Sequence, residues 1–254
     1  MATNPVNIDI WIKENKQFFK PPVCNKLLHN EQLKIFVVGG PNTRNDYHLE
    51  EGEEFFYMIK GDMCLKIIQN GQIKDIHIKE GEVFLLPPRV PHSPQRFENT
   101  FGLVVERERR PFEMDALRYY VDGASSVLFE RWFHCHDLGT QLAPIIKEFF
   151  DSEEYKTGIP GKDSVSPNPP FEPNNTHCYS DPFRLKEWIE HRRDKLNELG
   201  SLPLFSGNFS SKIFVYGRGV HTIEALDIDT FVWQFVSDKL FFLFSFILSF
   251  LIIK

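Results

Sequence analysis

The sequence predicts an antiparallel β sandwich or barrel with a few helices. Between residues 33 and 109, short apolar and aromatic runs alternate with turn residues: LKIFVVGG, EFFYMIKG, MCLKIIQNG, DIHI, VFLLP and GLVVERE. Asn70-Gly71 separates two of these runs and supplies the positive φ angles that a two-residue hairpin needs. Further turns are expected at Gly61-Asp62 and Glu80-Gly81. We therefore expect short, antiparallel strands.

Composition narrows the class of protein. The chain has 254 residues, of which 42% are hydrophobic and 14% aromatic, enough for a packed globular core. Its 29 basic and 35 acidic residues give a formal charge of −6, and no long basic run is present, so nucleic acid is not an expected partner. The four cysteines are scattered, and the N-terminus lacks an apolar leader segment. We expect a protein of the cytosol.

One amphipathic helix is predicted after the β region. Between residues 140 and 155 the apolar positions recur at helical spacing, and these residues should pack on the outside of the barrel. They are Leu142, Ile145, Ile146, Phe149 and Phe150.

The chain is then expected to divide. Residues 157–180 contain five prolines and few apolar residues, which predicts an interdomain linker, placed at 161–178. Beyond it, Asp181 suits an N-cap and Pro182 a first helical position, and the helix should end at Gly200. A smaller second domain is expected over residues 179–235.

The last part of the chain has a different composition. Residues 240–253 are all apolar or serine, and as a helix they would extend about 21 Å, too short for a stable membrane span. We interpret residues 236–254 as an aberrant hydrophobic tail on a truncated chain. Low charge and high β-propensity predict that this tail promotes aggregation.

Three residues suggest a metal site. His48, Glu54 and His92 are separated by predicted strands and turns, yet they can meet at the mouth of a small barrel. Two imidazoles and one carboxylate leave coordination positions open, an arrangement used by non-haem Fe(II) oxygenases. Zinc on the same ligands would favour hydrolysis instead.

Each residue also has a simpler interpretation. A histidine in a β protein is more often a hydrogen-bonded structural residue, and Glu54 lies in an acidic patch. Arg96 and Glu106 can form an ion pair on the barrel rim, and Arg44 can be a solvated loop charge. Spacing alone leaves these alternatives open.

Longer motifs favour the functional interpretation. The order His48, Glu50, Glu54, Gly61, followed by Gly81, Pro87, Pro91 and His92, resembles the two cupin motifs, with Glu50 in place of their second histidine. The strings GGPNTRNDYH, EEGEEFFYMIKGDM and LLPPRVPHSPQRF resemble the 3-hydroxyanthranilate 3,4-dioxygenase family. The similarity extends from about Trp11 to about Gln234.

This resemblance implies a mainly β fold, a cupin barrel of the double-stranded β-helix, jelly-roll type, over residues 1–160. An incomplete second cupin-like domain without a metal site is expected to follow the linker. The resemblance also implies a role for six residues: His48, Glu54 and His92 as Fe(II) ligands, Arg44 and Glu106 as catalytic residues, and Arg44, Glu54, Arg96 and Glu106 as substrate-binding residues.

The implied reaction is ring cleavage. A monomeric, Fe(II)-dependent enzyme would convert the small molecules 3-hydroxyanthranilate and O₂ to 2-amino-3-carboxymuconate semialdehyde. That product is the precursor of quinolinate on the route from tryptophan to NAD. The alternatives are a catalytically inactive cupin that serves as a binding module, and a metal-dependent cupin that acts on another small carboxylate.

Overall fold

The structure, a computed structural model, describes residues 5–21, 23–122, 126–175, 179–221, 229–235 and 240–246, and these form three antiparallel sheets with five α-helices. The helices are α1 Ile8–Glu14, α2 Leu138–Asp151, α3 Glu153–Thr157, α4 Leu185–His191 and α5 Arg193–Leu199. A 3₁₀ turn spans Lys16–Phe18.

Two six-stranded sheets carry the first part of the chain. The first sheet, in the order β1-β2-β9-β4-β7-β12, contains β1 Asn25–Asn30, β2 Leu33–Gly39, β4 Glu54–Lys60, β7 Glu82–Leu86, β9 Phe101–Arg107 and β12 Phe183–Arg184. The second sheet, in the order β11-β10-β3-β8-β5-β6, contains β3 Tyr47–Leu49, β5 Met63–Gln69, β6 Gln72–Ile78, β8 His92–Arg96, β10 Asp115–Tyr120 and β11 Val127–Phe133.

The predicted antiparallel β architecture is confirmed. Each apolar run named above lies in a strand, and Asn70 and Gly71 have φ angles of 50° and 71°, as the tight β5–β6 hairpin requires. Along β4, Phe56 and Met58 point between the two sheets while Phe55 points to the opposite face. This two-residue alternation also turns Glu54, the first residue of β4, toward the space between the sheets.

The first sheet is buried on both faces. Its inner face packs against the second sheet through Phe36, Phe84 and Leu65, among others. Its outer face packs against the later part of the chain, where Leu185 and Val215 join the same apolar cluster. Because burying one such side chain contributes about 1.5–3 kcal/mol, this shared core stabilises both parts together. The proposed division into domains at residues 160 and 179 stays a prediction.

The predicted linker is ordered where it is described. Phe171 is buried and its ring lies 5.0 Å from the ring of Trp132 on β11. The backbone N–H of Ser166 donates to Glu130 Oε1 at 2.9 Å, and that of Asn174 donates to the carbonyl of Arg89 at 2.7 Å. A segment too polar to fold alone is therefore held by contacts with β11 and with the backbone of Arg89.

Both predicted helices are found with altered bounds. The first spans α2 and ends at Asp151, because Ser152 caps a separate helix, α3. The second begins at Leu185 rather than near Asp181, since Phe183 pairs with Val83 of the first sheet. A break at Arg192 then divides it into α4 and α5, and it ends at Gly200 as predicted.

The third sheet changes the interpretation of the C-terminal residues. It contains β13 Ser201–Pro203, β14 Ser211–Tyr216, β16 Leu240–Phe246 and β15 Thr230–Phe235 in that spatial order. The sequence had suggested a hydrophobic tail here. Residues 240–246 instead pair with strands on both sides. The rest of the predicted tail, 236–239 and 247–254, lies outside the described residues.

A chain shortened to end at Phe235 should be less stable than the full chain. It loses β16, so β14 and β15 each lose a row of backbone hydrogen bonds and become exposed edges. We expect a lower unfolding temperature and more light scattering on heating. A chain that ends at Phe246 keeps the strand and is the control. Equal unfolding temperatures for the two shortened chains would show that β16 does not support the sheet.

Candidate metal centre

The three predicted ligands converge between the first two sheets. His48 on β3 and His92 on β8 are directly paired across the second sheet, and Glu54 faces them from the first. Glu54 Oε1 lies 3.6 Å from His48 Nδ1 and 2.8 Å from His92 Nε2. All three side chains are at least 94% buried. The structure therefore brings together the residues that the motifs selected.

The second nitrogen of each imidazole is held by the protein. His48 Nε2 lies 2.7 Å from Asp115 Oδ2, and His92 Nδ1 lies 3.0 Å from the carbonyl oxygen of Val90. Such partners fix the tautomer and ring orientation of histidines that bind metals. They leave His48 Nδ1 and His92 Nε2 to face Glu54.

The electrostatics of the group suit a cation. Burial alone would raise the pKa of the Glu54 carboxyl, but His92 and His48 hold that pKa well below its usual range. Glu54 Oε1 is buried and accepts no hydrogen bond, because its contact with His92 lacks hydrogen-bond geometry. A buried carboxylate oxygen without a hydrogen bond destabilises the folded state. A metal ion held by the two imidazoles and this carboxylate would satisfy it, so the donor set fits a metal.

Two buried guanidinium groups lie near the ligands. Arg96, four residues after His92 on β8, directs Nη1 toward the carbonyls of Val23, Cys24 and Gly39 at 3.2–3.4 Å. Its Nε is buried without a hydrogen-bond partner. Burial and the charge of Arg44 lower the pKa of Arg96 to about 10. Two adjacent cations with a spare donor favour an anionic ligand.

Arg44 and Glu106 complete the predicted set. Arg44 is 7% exposed and pairs with Asp46, with Nε 3.0 Å from both carboxylate oxygens. It is therefore not a solvated loop charge. Glu106 on β9 lies directly opposite Glu54 on β4, and burial followed by the Glu54 charge raises the pKa of its carboxyl. The simple interpretation of Arg96 and Glu106 as an ion pair is wrong, since Glu106 pairs with Arg109.

Comparison with known proteins identifies the family. Residues 1–150 match the family described as 3-hydroxyanthranilic acid dioxygenase. The chain is 54% identical to the 3-hydroxyanthranilate 3,4-dioxygenase of Xenopus tropicalis, over 91% of this chain and 82% of that protein. The chain belongs to the 3-hydroxyanthranilic acid dioxygenase family. The resemblance read from the motif strings is confirmed.

Other relatives agree. The 3-hydroxyanthranilate 3,4-dioxygenases of Rattus norvegicus and Homo sapiens are 53% and 51% identical, each over 90% of this chain and 80% of the relative. A solved cupin-2 domain protein from Shewanella frigidimarina is a weaker match, 17% identical with a TM-score of 0.32, over 41% of this chain and 94% of its own. The functional comparison therefore rests on the members of the 3-hydroxyanthranilic acid dioxygenase family.

The pocket of this family member is lined by both polar and apolar side chains. The polar lining contains the six predicted residues together with Asn25, which sequence reasoning missed. The apolar lining consists of side chains from both sheets and from the start of α2: Phe36, Val38, Phe56, Met63, Pro94, Val104, Leu138 and Leu142. An aromatic ring with polar substituents would match both kinds of lining.

Sequence reasoning also missed the residues behind the ligands. The side chains of Arg109 and Asp115 are buried, and Asp115 holds His48. Their segment, RERRPFEMD, reads as a solvated run of charges, and no spacing rule connects it to the motif histidines. Only the pairing of β10 with β3 brings it to the site.

Proposed function

We propose that this chain is an Fe(II)-dependent dioxygenase that converts 3-hydroxyanthranilate and O₂ to 2-amino-3-carboxymuconate semialdehyde, the precursor of quinolinate. The observation that carries the proposal is the buried His48–Glu54–His92 group, which lines a pocket together with apolar side chains. Family membership supports the same reaction. His48, Glu54 and His92 would hold the iron.

Fe(II) is the metal that best matches the reaction. Two histidines and one carboxylate are the ligand set of non-haem Fe(II) oxygenases. When bound, Fe(II) would supply open coordination positions together with redox chemistry, and Zn²⁺ on the same ligands lacks the redox chemistry. The remaining tasks, which are binding, orientation, proton transfer and exclusion of water, belong to the side chains of the protein.

Arg96 would bind the substrate carboxylate. Its guanidinium is fixed by three backbone carbonyls on one side and retains an unpaired Nε donor. A planar guanidinium can grip a carboxylate with two parallel hydrogen bonds, which sets the orientation of the ring as well as its affinity. Phe36, Phe56 and Leu142 would then cover the ring and exclude water.

Glu106 would take up a proton from the substrate phenol or amine. Its carboxyl lies beside Glu54 in the same buried site, and burial makes its charged form less favourable than in water. A carboxylate in that environment is a stronger base than an exposed one. Glu54, as a metal ligand adjacent to it, would also contact the substrate.

Arg44 would lie on the oxygen side of the site. Arg44 lines the pocket, and Asp46 holds its guanidinium. The position of this positive charge is therefore set by a protein carboxylate and not by water. A positive charge held in a buried site can stabilise negative charge that develops on oxygen. Arg44 and Glu106 are therefore the proposed catalytic side chains.

The decisive experiment is oxygen uptake after anaerobic loading with Fe(II). We expect one O₂ consumed per 3-hydroxyanthranilate, with the absorbance of the ring-opened product appearing at the same rate. Anthranilate, which lacks the hydroxyl group, is the control and should give neither signal. Iron binding without uptake would indicate the inactive cupin. Uptake with a different small carboxylate would indicate the other metal-dependent alternative.

Two attributes remain predictions. A monomer and a cytosolic location are proposed from the sequence. Among the described residues no helix is both long and apolar enough to cross a membrane. Gel filtration with light scattering would test the predicted monomer.

A further inference from the structure

Four buried carboxylates either belong to the proposed ligand group or lie near it. Glu50, Glu54, Glu106 and Asp115 are each at most 5% exposed. Burying several like charges together is unfavourable unless cations or metal ions compensate them. Within the described part of the chain, the arginine whose side chain contacts three of them is Arg109.

The contacts of Arg109 use different parts of its guanidinium. Nε lies 3.0 Å from Asp115 Oδ1, and Nη2 lies 2.8 Å from Asp115 Oδ2. Nη1 donates to Glu106, and Nη2 also lies 2.8 Å from Glu50 Oε2. The side chain is only 5% exposed. Its orientation is therefore fixed by hydrogen bonds to Asp115 and Glu106, and Glu50 adds an ionic contact.

Asp115 connects this cluster to the metal ligands. Asp115 Oδ2 receives Arg109 Nη2 and also lies 2.7 Å from His48 Nε2. Asp115 is the first residue of β10, whose next residues pair with β3, the strand that carries His48. A bidentate arginine on one side of Asp115 thus determines where its carboxylate meets the imidazole.

We propose that Arg109 is a positioning residue for both halves of the site, holding His48 through Asp115 and holding Glu106 directly. The proposal rests on the proposed function, since it assumes a metal at His48, Glu54 and His92. Lysine would not replace Arg109, because one ammonium group lacks the fixed fork of donors that reaches three carboxylates in different directions. Loss of the fork would let the Asp115 carboxylate rotate away from His48.

Arg107 provides a matched control. It lies two residues earlier at the end of β9, its side chain is 3% exposed, and it forms a bidentate pair with Glu113 at 2.6 and 2.7 Å. Neither contact reaches a proposed metal ligand. Arg107→Lys should therefore lower stability through the same kind of buried pair without changing the metal site.

The test measures metal affinity, which does not require ring cleavage. Co²⁺ titrations under identical conditions would compare the unmodified chain with Arg109→Lys, Asp115→Asn, the double variant and Arg107→Lys. We expect Arg109→Lys and Asp115→Asn each to weaken Co²⁺ binding by about 10- to 100-fold, the usual effect of losing a partner of a metal-binding histidine. The double variant should bind Co²⁺ only a little more weakly than either single variant. Its loss of affinity should be much smaller than the product of the two single losses, because both substitutions act on His48. Arg107→Lys should bind Co²⁺ within about twofold of the unmodified chain.

Three results would overturn the proposal. The first is a folded Arg109→Lys protein with unchanged Co²⁺ affinity. The second is full additivity of the two substitutions, which would separate Arg109 from Asp115. The third result applies if Arg109→Lys does not fold. It is an unchanged Co²⁺ affinity in a folded Asp115→Asn protein. Co²⁺ binding by the unmodified chain without oxygen uptake after Fe(II) loading would reject the proposed function and leave the positioning role standing.

Discussion

Replacing His92 with alanine should abolish iron binding and ring cleavage while leaving the two six-stranded sheets folded. His92 would supply one of three protein ligands, and its Nε2 lies closest to the buried Glu54 oxygen. Losing an outer partner of a ligand costs about 10- to 100-fold in affinity or activity, so losing a ligand itself should cost more than roughly 100-fold. Iron content after anaerobic loading and the rate of oxygen uptake measure both effects.

The matched control is His29→Ala. His29 on β1 also lies beside a carboxylate, Asp229 at 2.8 Å, but its side chain is 40% exposed and it is far from the ligand group in the sheet order. Its removal should leave iron content and turnover unchanged. Circular dichroism would establish that both variants fold. A folded His92→Ala protein with full iron content would exclude His92 from the metal site.

Two of the strands that position the site, β3 and β8, are not marked by hydrophobic periodicity. The sequence predicted strands at β2, β4, β5, β6, β7 and β9, where apolar side chains alternate or both faces are buried. It did not predict β3 or β8, whose sequences are YHL and HSPQR. Inward positions on these strands carry His48, His92 and Arg96 instead of core residues. On these two strands, polar site residues therefore replace the apolar side chains that mark a strand in the sequence.

The proposed metal ligands were predictable for a different reason. Their spacing reproduces a motif, so they could be recognised without knowing the sheet order. Arg109 and Asp115 have no such spacing, and their function depends on β10 lying next to β3. Similarly, the local N-cap signal at Asp181 was overridden when Phe183 joined the first sheet. Long-range pairing decided each feature that local sequence did not.

The pairing of residues 240–246 is another long-range effect. Composition alone predicted a separate hydrophobic tail, because nothing local indicates that a strand fits between β14 and β15. Edge backbone groups of these two strands provide its partners. An apolar segment can therefore be a structural strand or an aggregation hazard, depending on whether a sheet receives it.

Replacing Arg96 with lysine should raise the KM for 3-hydroxyanthranilate although the charge is kept. The guanidinium is held by backbone carbonyls and has a spare Nε donor, a geometry that an ammonium group does not reproduce. Losing one charge-assisted hydrogen bond of about 1.5–3 kcal/mol corresponds to roughly a 10- to 100-fold change. Steady-state kinetics would measure KM and kcat separately.

The same contact can be tested by removing the carboxylate from the substrate. With 2-aminophenol, which lacks the carboxylate, the unmodified chain and Arg96→Lys should have equal kcat/KM, because the missing hydrogen bond has no acceptor. Arg118→Lys is the protein control, since Arg118 is equally buried but pairs with Glu130 away from the pocket lining. It should be less stable with an unchanged KM. If Arg96→Lys keeps the KM for 3-hydroxyanthranilate, or loses efficiency equally with both compounds, Arg96 does not bind the carboxylate.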